Sequence, residues 1–242
     1  DGFLGFIVAV LGGMYQFIAW AKVTERRREV RVEDVVEPFR GLFQDQERYD
    51  RVLLMSHLCA YRRAGQEARN RRVLEIGSGA GYGSYYLAHL AASVVGIDLD
   101  AANIAQAQRL FHRDNLAFKV MDATRLAFPD ASLDLVGSFQ VIEHIDEPLL
   151  PQFLREIARV LAPEGCCVIS TLNVEHNRKG RADYQKPSFH VKEFTGPELL
   201  ELLRSVFPSV ELHGLYPGVR YRLAPRMKKW GLHRLGPTSW NP

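Results

Sequence analysis

Three groups of residues in this sequence have the types and spacing to do chemistry. The first is Glu75-Ile76-Gly77-Ser78-Gly79-Ala80-Gly81-Tyr82-Gly83, an acid followed by glycines at alternate positions. Without Cβ atoms such a turn lets a ligand lie against the backbone, and a helix that follows offers free N–H groups. The glycines do not fit Gly-x-Gly-x-x-Gly in either frame, since Tyr82 or Ser84 stands where the last glycine should be. No Gly-Lys-Ser/Thr end makes a P-loop. Glu75 would repel a pyrophosphate, so the turn suits a ligand with a positive end. The second group is Asp98, about 20 residues after Gly77, where an acid in a βαβ unit binds ribose hydroxyls. Asp98 or Asp100 could instead cap the next helix, and Asp100, directly before Ala101, suits the cap better. The third group is Glu143-His144, with His190 and His176 later in the chain. Imidazole titrates near neutrality and can serve as a general base toward a hydroxyl, with Glu143 orienting it or binding the acceptor. His144 could equally only pack beneath the crevice.

The order Glu-x-Gly-x-Gly-x-Gly resembles motif I of the class I S-adenosylmethionine-dependent methyltransferases, whose cofactor carries an ammonium and a sulfonium but no phosphate. The run from Leu126-Ala127-Phe128-Pro129-Asp130 through Val136 to Glu143-His144 resembles the ubiquinone-biosynthesis-like branch of that family. Lys186 to Phe194 resembles an Asn-Pro-Phe-His-x-x-Glu-Phe segment of sugar and glycan methyltransferases, without the usual asparagine. Ser56 to Tyr61 resembles Glu-His-x-x-Arg-Tyr, but only His57 and Tyr61 match, with Ser56 and Ala60 replacing the acid and the arginine. The resemblance covers about Val73 to Gly165. It implies S-adenosylmethionine as cofactor, cradled by Glu75, Gly77, Ser78, Gly79 and Gly81. Asp98 would then hold the ribose, Leu99 lie against the adenine, and Asp122 and Ala123 bind the adenine amine and ring. Gln140 would line the crevice and Tyr61 lie near the cofactor's carboxylate. The implied reaction is methyl transfer to a hydroxyl of a glycan, lipid-linked sugar or similar small acceptor. A quinone or phenol is the alternative acceptor, and a non-catalytic scaffold retaining the cofactor fold is the competing class.

These residues need elements to position them. Val73 to Ile76, Ser93 to Asp98, Phe118 to Ala123, Leu133 to Phe139 and Cys166 to Ser170 read as strands, the apolar ones buried on both faces. Tyr82 to Leu90 and Leu149 to Leu161 read as helices, the second begun by Asp146 and Pro148 and ended by Pro163-Glu164-Gly165. Strand-helix-strand units predict an α/β, Rossmann-like, doubly wound and mostly parallel seven-stranded sheet with right-handed crossovers. Ligands bind outside the C-terminal strand ends of such sheets, which places Gly77, Asp98, Asp122, Gln140 and Asn173 around one crevice. The long polar stretch from Asn173 to Phe194 reads as an acceptor lid or a solvated insertion. Gly196 to Phe207 reads as a further helix and Val210 to Gly214 as a late strand.

The chain divides into residues 1–29, an apolar helix with a basic flank; 30–70, linker and lid helices; 71–215, the cofactor-binding domain; and 216–242, a basic tail. Phe3 to Ala21 as a helix would span ~28 Å, close to the hydrocarbon core. It could cross a membrane, lie on one, or pack on a partner or the domain, and the basic residues after it put the rest on the cytoplasmic side. The chain begins with Asp1 and reads as a fragment or a processed product. A net charge of +3 on 242 residues gives no expectation of nucleic acid, though the tail could meet anionic lipid. The three cysteines lack metal-ligand spacing and fit a reducing compartment; no metal is expected. The oligomeric state stays open.

Overall fold

A computed structural model of the chain describes residues 6–12, 51–178 and 183–214. Five parallel strands carry the expected Rossmann-like core: β2 (Arg72–Ile76), β3 (Ser93–Asp98), β4 (Leu116–Val120), β5 (Leu133–Phe139) and β6 (Leu161–Leu172). Their spatial order is β4-β3-β2-β5-β6. The chain steps outward from β2 to β4, then returns to build β5 and β6 on the other side. The reversal falls between β2 and β5, and ligands of open α/β sheets bind at that switch point.

Alternate residues of one strand feed opposite faces, as a two-sided sheet requires. Leu74 and Ile76 join one apolar cluster with Phe153, Leu154 and Ile157 of α4 (Leu150–Val160). Val73 joins the other, with Tyr61 and Ala64 of α1 (Arg51–Glu67) and Leu87 of α2 (Tyr82–Ala88). Each fully buried Leu, Ile or Phe contributes roughly 1.5–3 kcal/mol relative to exposure, so both faces hold the strand ends at fixed spacing. The crossover helix α3 (Ala101–Leu110) starts at Asp100, whose Oδ1 accepts the Ala102 N–H at 2.8 Å. The cap is therefore Asp100 and not Asp98, as the sequence suggested.

Several boundaries differ from the sequence reading. The third core strand is Leu116–Val120, so Asp122 and Ala123 lie in the turn beyond it. Asp122 Oδ1 accepts the N–H and hydroxyl of Thr124, each at 2.8 Å, and this local turn draws the backbone off the ladder. The strand after α4 begins at Leu161, paired with Leu133 across an irregularity in register, so Pro163-Glu164-Gly165 belongs to that strand.

The largest difference is at the N-terminus. Phe6–Gly12 is a strand, β1, pairing in parallel with β6 and with β7 (Ser209–Gly214), and not part of an apolar helix. A short apolar run bounded by glycine suits a buried parallel strand as well as a helix, and periodicity alone does not separate them. Membrane attachment through a continuous helix loses its basis over these residues. The rest of 1–29, residues 30–50 and the basic tail lie outside the described residues. Among the described residues no helix is long and apolar enough to cross a membrane.

The Asn173–Phe194 stretch is shaped by α5 (Val174–Arg178) and by bonds back to the sheet. Val174 N–H donates to the Phe194 carbonyl at 3.1 Å, and Val191 and Lys192 N–H donate to the Glu143 carbonyl at 2.8 and 3.1 Å. After it, Thr195 and Glu198 form a capping box for α6 (Gly196–Arg204).

Candidate active site

The glycine turn follows β2 at the switch point. Gly77, Gly79 and Gly81 all have positive φ, at 71°, 50° and 90°. Gly77 is doubly constrained, because an added Cβ would lie 2.3 Å from Val141 Cγ2, just past the end of β5. Gly83 serves a different purpose: its missing Cβ leaves room for the Tyr61 ring, which would otherwise be 2.1 Å away. Alternate spacing thus conceals two physical demands, left-handed backbone and close approach. Asp98 ends β3 and is tied into the turn, with Oδ2 accepting the Gly79 N–H at 2.8 Å and Oδ1 the Asp100 N–H at 2.9 Å. Leu99 beside it is 75% exposed. Ser78 Oγ is buried and has no hydrogen-bond partner among the described residues. Gln140, just beyond β5, adopts φ 58°, a left-handed conformation costing a non-glycine residue roughly 1–2 kcal/mol. Its N–H donates to the Ser170 carbonyl at 2.9 Å. Such strain concentrates at functional sites.

Glu75 lies behind this turn with no exposed surface. The Tyr61 hydroxyl donates to its Oε1 and the Ser84 hydroxyl to its Oε2. Tyr61, expected beside a cofactor carboxylate, therefore acts on Glu75. Ser84 was missed by sequence reasoning; its position in the first turn of α2 was the available signal. Burial pushes the Glu75 carboxyl up to about 7, against the Ser84 and Tyr61 hydrogen bonds, which favour the charged form. The folded protein therefore holds this proton more tightly than the unfolded chain does. Stability is expected to fall as pH rises from about 4.5 to about 7 and then level off, a loss of order 3 kcal/mol from this group. Urea unfolding at pH 5 and pH 8 checks it: the difference between the two should shrink by that amount in Glu75→Gln.

The acceptor-side candidates converge beyond β5. Glu143 is 1% exposed, receives the Thr171 hydroxyl on Oε2 at 2.8 Å, and has no partner for Oε1 among the described residues. Burial pushes its carboxyl up to about 7, with the Glu193 charge adding to the effect. His144 is exposed, its Nδ1 2.9 Å from the Phe189 carbonyl. That carbonyl can only accept, so Nδ1 carries the hydrogen and the neutral ring keeps a lone pair on Nε2. His190 is buried, with Nδ1 2.9 Å from Glu193 Oε1. The Tyr184 hydroxyl also donates to the Glu193 carboxylate, at 2.7 Å. The imidazoles of His144 and His190 meet edge to face, 5.1 Å between centroids, and Phe189 stacks on His144 while 67% exposed. Thr171 gave no sequence signal, because its role depends on β6 lying beside β5. His176 lies in α5 and is not in this cluster.

Residues 74–169 match the family described as a methyltransferase domain. That stretch is similar to such domains over less than half of the chain. It holds the glycine turn, Asp98 and Glu143-His144, whereas His190 lies beyond it. A probable S-adenosylmethionine-dependent methyltransferase of Mycolicibacterium smegmatis is 37% identical over 155 residues, covering 64% of this chain and 58% of the relative. A like-named protein of Mycobacterium tuberculosis is 37% identical over 169 residues, covering 69% and 59%. A ubiquinone biosynthesis O-methyltransferase of Rhodopseudomonas palustris is 36% identical over 103 residues, covering 42% and 40%. The chain thus spans less than two thirds of the length of each of these relatives. Among solved structures, the cyclase SpnF superposes with a TM-score of 0.53 at 20% identity, covering 72% of this chain and 70% of that one. The YcgJ protein of Bacillus subtilis gives 0.51 at 21% identity, covering 60% and 66%. These likenesses concern the fold alone, and a cyclase among them is a reminder that fold does not fix chemistry.

Proposed function

We propose that this chain transfers a methyl group from S-adenosylmethionine to an oxygen of a small acceptor, such as a hydroxyl of a glycan or lipid-linked sugar. The observation that carries the reading is the joining of the glycine turn to Asp98 through the Gly79 N–H. The residues present fit the cofactor. Ser78 Oγ is a buried polar atom lacking a partner among the described residues, Gly79 leaves open space where a side chain would stand, and Leu99 presents an apolar surface beside Asp98. In this reading Gly77, Ser78, Gly79 and Gly81 follow the amino-acid end and Asp98 holds the ribose. Leu99, Asp122 and Ala123 meet the adenine, Gln140 lines the crevice, and Glu75 supplies negative charge from behind, held by Tyr61. When bound, the cofactor supplies an electrophilic methyl carbon on a sulfonium with a neutral leaving group.

The chain's main task is then alignment, which can supply ~7–11 kcal/mol, more than the roughly 3–5 kcal/mol of a general base. His144 is the first candidate for that base, since Phe189 fixes its tautomer and leaves Nε2 able to accept a proton. Glu143 and His190 are placed to orient the acceptor. A quinone or phenol is the second reading, favoured by Phe189, exposed and stacked beside His144, where an aromatic acceptor could lie.

Calorimetric titration with S-adenosylmethionine tests the cofactor, and S-adenosylhomocysteine release across hydroxylated acceptors tests the transfer. His144→Ala should lower kcat by about 10²–10⁴-fold with cofactor affinity unchanged. A kcat within twofold of wild type would remove His144 from the chemistry. Absence of cofactor binding by the folded chain would overturn the whole reading.

A further inference from the structure

Glu143, His144 and His190 come from two separate segments, the turn after β5 and the 183–194 loop. One donor atom from each lies within 4.8 Å of the other two. Glu143 Oε1 is buried without a partner among the described residues, although Thr171 satisfies the other oxygen. Leaving such an atom unpaired costs roughly 1–3 kcal/mol or more, so a native structure calls for something to fill the place. Both imidazoles have Nδ1 engaged by an oxygen, His144 by the Phe189 carbonyl and His190 by the Glu193 carboxylate. Among the described residues no group bonds to Nε2 of either ring. Metal-ligating histidines are held in this way, donating one ring N–H to a carboxylate or backbone carbonyl so that the other nitrogen faces the ion. The Glu193 carboxylate is itself fixed by Tyr184.

We propose that Glu143, His144 and His190 bind a divalent first-row transition ion. Two imidazoles and one carboxylate suit Zn²⁺, Co²⁺ or Fe²⁺ better than Mg²⁺ or Ca²⁺, which favour all-oxygen ligands. Three protein ligands also leave positions open for a substrate oxygen. The site deepens the methyl-transfer reading on its acceptor side. An ion here would lower the pKa of a coordinated hydroxyl, the task otherwise given to His144 as a base. Ion binding itself does not depend on methyl transfer.

The test is calorimetric titration of the full, metal-stripped chain with Zn²⁺, with Co²⁺ visible absorption as a second readout of ligand type. One ion per chain is expected. Glu193→Gln should weaken it by about 10–100-fold, and Glu143→Gln and His144→Ala at least as much. Circular dichroism should show each variant folded, and His144, being exposed, can be replaced without disturbing the core. Absence of stoichiometric binding in the wild-type chain overturns the proposal, as does binding that Glu143→Gln and His144→Ala leave unchanged. S-adenosylmethionine titration of the same samples keeps the two readings apart. Ion binding without cofactor binding would overturn the methyl-transfer reading and leave the metal site standing. Cofactor binding without ion binding would do the reverse.

Discussion

Asp98→Ala is expected to abolish S-adenosylmethionine binding at ordinary concentrations. A carboxylate at the end of β3 can accept both ribose hydroxyls, and each hydrogen bond to a charged group contributes roughly 1.5–3 kcal/mol. Losing two weakens binding on the order of 10²–10⁴-fold. The effect is compounded because Asp98 also accepts the Gly79 and Asp100 N–H groups, so its removal loosens the glycine turn. Asp98→Asn reduces both contributions. Its amide keeps one oxygen but sets an NH2 against one of the two turn N–H groups and one ribose hydroxyl, so affinity and stability should fall to intermediate values. Calorimetry on the three proteins, with urea unfolding to report the turn, measures both parts. Equal affinity in wild type and Asp98→Ala would remove Asp98 from the cofactor site.

Gly77→Ala should be the other severe substitution, through the backbone instead of through a contact. A Cβ at φ 71° costs roughly 1–2 kcal/mol, and the overlap with Val141 Cγ2 at 2.3 Å adds about 1–3 kcal/mol of overpacking. A stability loss of roughly 2–5 kcal/mol is expected, with cofactor binding lost as the turn moves away from the end of β5. Val141→Ala in the same chain removes the colliding methyl but not the backbone strain. The double variant should recover the overlap share only, giving a coupling of about 1–3 kcal/mol in a double-mutant cycle. Full additivity would show that Gly77 and Val141 do not meet.

The parallel core was legible because its signals are local. Val73 to Ile76, Ser93 to Asp98 and Leu133 to Phe139 are apolar runs whose bounds match the structure closely, each followed by turn chemistry. Asp100 was recognisable as a cap because capping depends on the next two residues alone. Phe6–Gly12 was misread because an apolar run bounded by glycine carries no period that separates strand from helix. Its neighbours, β6 and β7, lie far along the chain and leave no mark on it.

The same division runs through the candidate site. The sequence by itself determined that a glycine turn follows a buried strand, that an acid ends the next strand, and that Glu143-His144 follows another. Parallel strands then require these ends to share one edge of the sheet. Only the tertiary structure decided what each group touches there. Glu75 is closed in by Tyr61 and Ser84 and so acts from behind the turn. Among the described residues Glu143 keeps one oxygen unpaired, because Thr171, on the adjacent strand, satisfies only the other. His190 meets His144 because the 183–194 loop is fastened to the Glu143 carbonyl. Backbone bonding and apolar periodicity are written in neighbouring residues, whereas burial and the partner of each polar atom depend on residues brought together from distant parts of the chain.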